Sequence, residues 1–218
     1  MQSKIRTAEL FASIQGESTY AGRPCFFVRL SGCPYRCSYC DTLFAQDFDY
    51  GREMSIAEIT DAVKKSNLPL VEVTGGEPLA QKNTISLLNA LLDAGLEVML
   101  ETNGGFDISN VPTAVKRILD CKLPSSRMAE KNLYSNYQYL TPHDEVKFVT
   151  GSREDYDFAL ETVRRYNLAD KTPNLLISPV WGTVAFDKII EWILADNAPF
   201  RFQLQMHKII WGADKQGV

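Results

Sequence analysis

Seven short apolar stretches recur along the chain, and they constrain the fold before any single residue is considered. They are CFFVRL (25–30), LVEVT (70–74), EVMLET (97–102), RILDCK (117–122), EVKFVT (145–150), LLISPV (175–180) and FRFQLQM (200–206). Most are rich in β-branched or aromatic residues and several are almost continuously apolar, as strands covered on both faces tend to be. Helical patterns lie between them. Ser55 followed by Glu58 reads as a capping box opening a helix over 56–66. Ile85, Leu88, Leu91 and Leu92 form one stripe that stops at Gly95. Ser152 caps a helix carrying Phe158, Val163 and Tyr166, and Ile189, Ile190 and Ile193 line another over 184–195. Repeated β-then-α predicts an α/β fold, a parallel sheet with helices outside. Periodicity leaves open whether that sheet is doubly wound, a closed barrel or a partial one. The polar segment 123–143 reads as a loop with a short helix, a kind of connection that often carries function.

A chain of 218 residues suits one domain over 1–218, with roughly 70% of its unfolded surface buried. Charge excludes some roles. The 23 basic and 27 acidic residues give a net charge of −4, so no basic surplus points to nucleic acid or to an anionic membrane. No apolar run approaches the roughly 20 residues of a spanning helix, and the opening MQSKIRTAELFASIQGES lacks a secretory core. The expectation is a cytoplasmic protein in a reducing compartment, where five cysteines, an odd number, are not a disulfide framework.

Three of those cysteines, Cys33, Cys37 and Cys40, form CxxxCxxC directly after the first apolar stretch, in a loop with Gly32 and Pro34. Strand ends are where α/β proteins place their sites, and a loop lets three Sγ atoms converge as alternating strand faces do not. Thiolates bind zinc or iron–sulfur clusters. Both commonly take four protein ligands. The two histidines, His143 and His207, are distant in sequence, and no second CxxC follows. Cys25 and Cys121 sit in apolar stretches and read as core thiols. A three-cysteine cluster leaves one iron open for a non-protein ligand, the mark of a reactive metal site.

VEVTGGEPLAQ follows the second strand. Gly75 and Gly76 permit close backbone approach, and Pro78 suits a helix's first turn. The spacing fits neither a dinucleotide fingerprint nor a phosphate loop. ETNGG (101–105) with Asn103, and DCKLPSS (120–126) with Lys122 and Ser125, end two further strands. Three consecutive strand ends carrying small, polar residues form the pattern of a site built at one rim.

The cysteine spacing resembles the cluster motif of the radical S-adenosylmethionine (SAM) enzymes, in which three cysteines hold a [4Fe–4S] cluster and SAM chelates the fourth iron. Tyr39 before the last cysteine and the GGEP loop fit that superfamily. A sharper resemblance covers nearly the whole chain. FASIQGES, GRPCFFVRLSGCPYRCSYCDT, TGGEP, ETNG, DCKLPSS and QLQMHKIIWG, in that order, are similar to the 7-carboxy-7-deazaguanine synthase family. The resemblance implies a partial (β/α)6-type TIM barrel of parallel strands with outer helices. It implies SAM contacts from Tyr39, Cys40, Asp41, Gly75, Gly76, Glu77, Asn103, Lys122 and Ser125, and a Mg²⁺ ligand in Thr42. Substrate contacts are implied for Ile14, Gln15, Gly16, Glu17, Arg29, Thr74 and His207. The implied chemistry is ring contraction of a carboxylated tetrahydropterin with loss of ammonia, in a homodimer fed by a one-electron donor such as flavodoxin or ferredoxin. A glutamine and a glutamate can read both donors and acceptors of a pterin edge, and an arginine fork suits a carboxylate. Two other readings stand beside it: a radical SAM activase that makes a glycyl radical on a partner, and a non-enzymatic zinc-binding module. One departure is Ser18, where the family's QGEG reads QGES; if that position needs a positive φ, serine is strained.

Overall fold

The computed structural model describes residues 3–213 and 215–218. Nine strands form one sheet in the order β3-β1-β2-β4-β5-β6-β7-β8-β9. All seven predicted strands are present: β2 (Pro24–Leu30), β4 (Leu70–Gly75), β5 (Glu97–Thr102), β6 (Lys116–Cys121), β7 (Glu145–Thr150), β8 (Leu175–Pro179) and β9 (Arg201–Phe202). Each pairs in parallel with the next, so the sheet curls without closing, a partial barrel. Two further strands, β1 (Lys4–Ile14) and β3 (Arg52–Ser55), extend the β2 edge antiparallel.

One expectation needs correction. β9 spans two residues rather than the stretch 200–206, and a six-residue helix, α5 (Met206–Trp211), starts where that stretch was read as ending. The outer helices α1 (Ile56–Lys65), α2 (Thr84–Asp93), α3 (Arg153–Arg165) and α4 (Phe186–Ala195) cover the sheet, and the β5–β6 and β6–β7 connections hold no α-helix. The segment 123–143 is, as expected, a loop with short helical pieces, all of them 3₁₀ and the longest spanning Tyr134–Tyr139.

Where helices were expected, their local causes are visible. The Ser55–Glu58 capping box is formed in both directions, Ser152 Oγ accepts from Asp155 N, and Gly95 leaves α2 with φ +78°. Side-chain alternation sorts each strand into two layers. Val71, Val73, Val98, Leu100, Val146 and Phe148 pack outward with Ile59, Val63, Leu87, Leu91, Tyr156 and Ile189 of the helices. On the other face a smaller apolar cluster of Cys25, Phe27, Leu70, Met99 and Ile118 fills the base of the barrel. Burying each such side chain contributes roughly 1.5–3 kcal/mol. Above that base the inner face turns polar. Among the described residues no helix is long and apolar enough to cross a membrane.

Candidate active site

A cavity of about 560 Å³ occupies the barrel interior above the inner apolar cluster. Its mouth is the loop after β2, which brings Cys33, Cys37, Tyr39, Cys40, Asp41 and Thr42 to the wall. The glycine loop after β4 holds that cysteine loop in place. Gly76 N donates to Leu30 O at 2.9 Å, and Glu77 N donates to Gly32 O at 2.8 Å. A Cβ on Gly76 would lie 2.5 Å from the carbonyl oxygens of both Gly32 and Ala45, so only glycine lets the two loops touch this closely.

Cys33 is buried and Cys37 and Cys40 are half-buried. Burial pushes the Cys33 and Cys37 thiols up, so a bound metal is needed to hold them as thiolates. Among the described residues no three His, Cys, Asp or Glu side chains gather round one point as a single ion requires. All three thiols line the cavity wall. Cys25 and Cys121 lie in the core, away from the wall. Two buried polar atoms of wall residues, Asn103 Nδ2 and Asp120 Oδ1, have no protein partner, as expected where a polar ligand belongs. Next to Asp120, Lys122 Nζ reaches Asp120 Oδ2 at 2.5 Å. Burial alone would lower the lysine, and Asp120 raises it instead.

Deeper in the cavity the wall is made by Ile14, Gln15, Gly16, Glu17, Arg29, Thr74 and His207 together with Glu72, Glu101 and Lys147. Lys147 bonds Glu17 Oε2 at 3.0 Å and also bonds Glu101. Burial works to raise Glu17, but Lys147 and Gln205, whose Nε2 donates to Glu17 Oε1 at 2.9 Å, bring it below the usual carboxylate range. Arg29 is paired with Glu9 at 3.0 Å. His207 begins α5 rather than sitting on a strand, and burial lowers its basicity, keeping it neutral near pH 7. A Cβ on Gly16 would lie 2.5 Å from His207 Nδ1, so that glycine admits the imidazole. Lys208, also on α5, meets Asp41 Oδ2 at 2.6 Å; burial opposes the Asp41 charge, and Lys208 overcomes it to hold the carboxyl at about 2. Thr42 Oγ1 donates to Asp41 Oδ1 at 3.1 Å.

Of the residues predicted for the site, two are not on the cavity wall. Glu77 is enclosed in its own turn, where its carboxylate accepts from Leu79 N, Thr102 Oγ1 and Asn103 N at 2.7–2.9 Å. Burial pushes it up to about 7 against those donors. Ser125 spends its backbone on the scaffold, donating to Asp155 Oδ1 and accepting from Ser38 Oγ. Sequence reasoning missed Glu72, Glu101, Asp120, Lys147, Gln205 and Lys208. A charge in the middle of an otherwise apolar strand, as in LVEVT and EVKFVT, is the signal that would have found Glu72 and Lys147.

Ser18 has φ +68°, the strained conformation its position foreshadowed. Its Oγ donates to the fully buried Glu145 Oε1 at 2.9 Å, and Gln203 Nε2 donates to its carbonyl oxygen. The loop bearing Gln15 and Glu17 is thus moored across the barrel base.

Comparison with known proteins agrees with this geometry. The radical SAM superfamily model matches residues 27–193. A 7-carboxy-7-deazaguanine synthase of Chlorobaculum tepidum is 41% identical, over 100% of this chain and 99% of the relative. One from Koribacter versatilis is 39% identical over 98% and 100%. The crystal structure of QueE from Escherichia coli superposes with a TM-score of 0.74 at 22% identity, covering 92% of this chain and 94% of that one. Full-length identity and a shared fold, with three cysteines at the cavity mouth, lead to one conclusion: the chain is an enzyme of the radical SAM superfamily and belongs to its 7-carboxy-7-deazaguanine synthase family.

Proposed function

We propose that the enzyme converts 6-carboxy-5,6,7,8-tetrahydropterin into 7-carboxy-7-deazaguanine with loss of ammonia, a carbon–nitrogen lyase step of deazapurine biosynthesis. The observation that carries this is vertical order in one cavity: thiols at the mouth, and beneath them a polar ring standing on an apolar floor. Membership of the superfamily implies a [4Fe–4S] cluster, SAM, a small-molecule substrate and a reductant. Cys33, Cys37 and Cys40 hold the cluster. When bound, cluster and SAM supply reductive cleavage of a carbon–sulfur bond and abstraction of a hydrogen atom.

The chain's own residues bind, orient and enclose. Tyr39, Asp41, Gly75, Gly76, Asn103 and Lys122 lie beside the thiols, where they meet SAM. Phe27 and Ile118 offer flat apolar contact to a bicyclic ring. Arg29 takes the substrate carboxylate in exchange for Glu9. Neutral His207 and the Glu17 carboxylate supply one donor and several acceptors to the ring nitrogens, and Thr74 adds a hydroxyl. Thr42, a hydroxyl on the wall beside Asp41, would be the residue to hold Mg²⁺, an ion that takes oxygen donors. Burial of the polar ring keeps water from the reacting centre.

Residues 1–218 act as one unit on one continuous sheet. All five cysteines are free thiols, which supports a reducing, cytoplasmic setting. The exposed Trp181, Phe186, Ile190, Leu194, Ile209, Ile210 and Trp211 on or beside α4 and α5 support a homodimer, checked by sedimentation. A flavodoxin or ferredoxin is the electron donor. The deciding experiment is anaerobic turnover of reconstituted protein with SAM, reductant and the carboxytetrahydropterin, with 7-carboxy-7-deazaguanine as the expected product. Cluster-loaded protein that cleaves SAM yet makes no deazapurine would return the activase reading, and one tight zinc in place of iron would end the radical one.

A further inference from the structure

Both polar ends of Gln15 are engaged by the protein. Its Oε1 accepts from Glu17 N at 2.9 Å, its Nε2 donates to Glu72 Oε2, and the residue is only 4% exposed. Glu72 lies on the cavity wall, and among the described residues its second oxygen, Oε1, bonds nothing. The sheet register fixes its height. Glu72 lies opposite Phe27, and Arg29 lies opposite Thr74, one inward-facing step higher. Two residues along a strand is about 7 Å, comparable to the length of a fused two-ring heterocycle. Phe27 and Ile118 stand on the wall at the lower level, and Phe11 stacks on Phe27 with centroids 5.0 Å apart.

We infer that Glu72, positioned by Gln15, is the residue that reads the aminopyrimidinone edge of the substrate and so determines its specificity. The inference rests on the pterin reading of the cavity and adds the orientation: carboxylate up at Arg29, amino edge down at Glu72. That edge carries an exocyclic amino group beside a ring N–H, two adjacent donors. A carboxylate is their natural partner, with Oε1 open and Oε2 able to accept a second hydrogen bond beside that of Gln15. The surroundings demand such a ligand. The charged groups facing Glu72 are Glu101 from β5, Glu17 from the β1–β2 loop, Lys147 from β7 and Arg29 from β2, and Lys147 is already shared by two carboxylates. Burial first, and then Glu101, push Glu72 well above the ordinary carboxylate range. That shift favours the protonated carboxyl in the empty cavity, and a ligand bringing two N–H groups to this point favours the ionised one.

The test is anaerobic titration calorimetry with 6-carboxytetrahydropterin and its analogue lacking the exocyclic amino group, on the cluster-loaded parent, Glu72→Gln, Glu72→Ala and Gln15→Ala. Iron content and melting temperature verify that each variant is folded, and Glu72→Gln keeps the side-chain volume should alanine fail to fold. The parent is expected to bind the amino compound about 10–100-fold more tightly than the analogue. Both Glu72 variants lose that affinity by a similar factor and level the two compounds, and Gln15→Ala shows part of the loss. A folded Glu72→Gln protein with the parent's affinity and discrimination overturns the assignment, as does discrimination lost in Gln15→Ala alone. A parent that binds neither compound overturns the pterin reading itself, a result distinct from the loss of the Glu72 role.

Discussion

Ser18 offers a perturbation whose two effects can be separated. The residue holds φ +68° and also donates its hydroxyl to Glu145, a fully buried carboxylate. A non-glycine residue in the left-handed region costs roughly 1–2 kcal/mol, and a hydrogen bond to a charged group contributes about 1.5–3 kcal/mol. Ser18→Ala keeps the strain and loses the bond. Glu145 still has Thr19 N at 3.0 Å, the Thr19 hydroxyl and Lys116 Nζ at 3.0 Å, so the loss belongs at the lower end, about 1.5–2 kcal/mol. Ser18→Gly loses the same bond but relieves the strain, against about 0.4–1 kcal/mol of extra unfolded-chain entropy. Glycine should therefore be less stable than serine and about 0.5–1 kcal/mol more stable than alanine. Urea unfolding followed by circular dichroism resolves this order if the slope is unchanged among the three proteins. Alanine equal to glycine would show that the backbone strain is not what the dihedral angle implies. Serine no better than alanine would show that the bond to Glu145 contributes nothing.

Further outcomes are expected. Alanine at Cys33, Cys37 or Cys40 removes cluster iron, whereas alanine at Cys25 or Cys121 leaves iron in place and costs about 1 kcal/mol of stability; loss of iron in the Cys25 variant would contradict the three-thiol site. Gly16→Ala drives a methyl into His207 and should raise KM about tenfold or more with iron content intact, read by steady-state kinetics. Thr42→Ala should abolish the response of activity to added Mg²⁺ while the cluster's absorbance stays unchanged. Glu77, at about 7 in the folded protein, holds its proton there, while in the unfolded chain it ionises near the ordinary glutamate value of 4.5. Stability should thus fall as pH rises from about 4.5 to 7, by up to about 3 kcal/mol. Glu77→Gln should flatten that slope in pH-dependent unfolding, and an identical slope would remove Glu77 as its source.

The parallel strands were legible because burial on both faces leaves nearly unbroken apolar runs, as in LVEVT and LLISPV. β1 escaped notice because it is half-covered and carries Lys4, Arg6 and Glu9, and β3, four residues long, merges into the capping box of α1. α5 was hidden for a different reason: FRFQLQM alternates like a strand, and a six-residue helix is too short to impose its own period. The cysteine loop could be read because its spacing is local. The contacts that shape the deeper cavity join residues distant in sequence, such as Gln15 with Glu72 and Glu17 with Lys147. No spacing rule announces these. The glycine pair was legible as a tight turn, but that it braces the cysteine loop became visible only with both loops in space.

One short helix touches both halves of the cavity. Met206 N, at the start of α5, donates to Gly16 O at 2.8 Å, and two residues later Lys208 grips Asp41 beside the last cysteine. The helix therefore works as a tie rod between the segment proposed to bind the heterocycle and the one proposed to bind the sulfonium. Whichever molecule arrives first and steadies its own segment steadies the rod as well, and the second meets a partly organised berth. The two occupants should bind with positive cooperativity although they share few contacts, and cutting the rod at Lys208 should uncouple them.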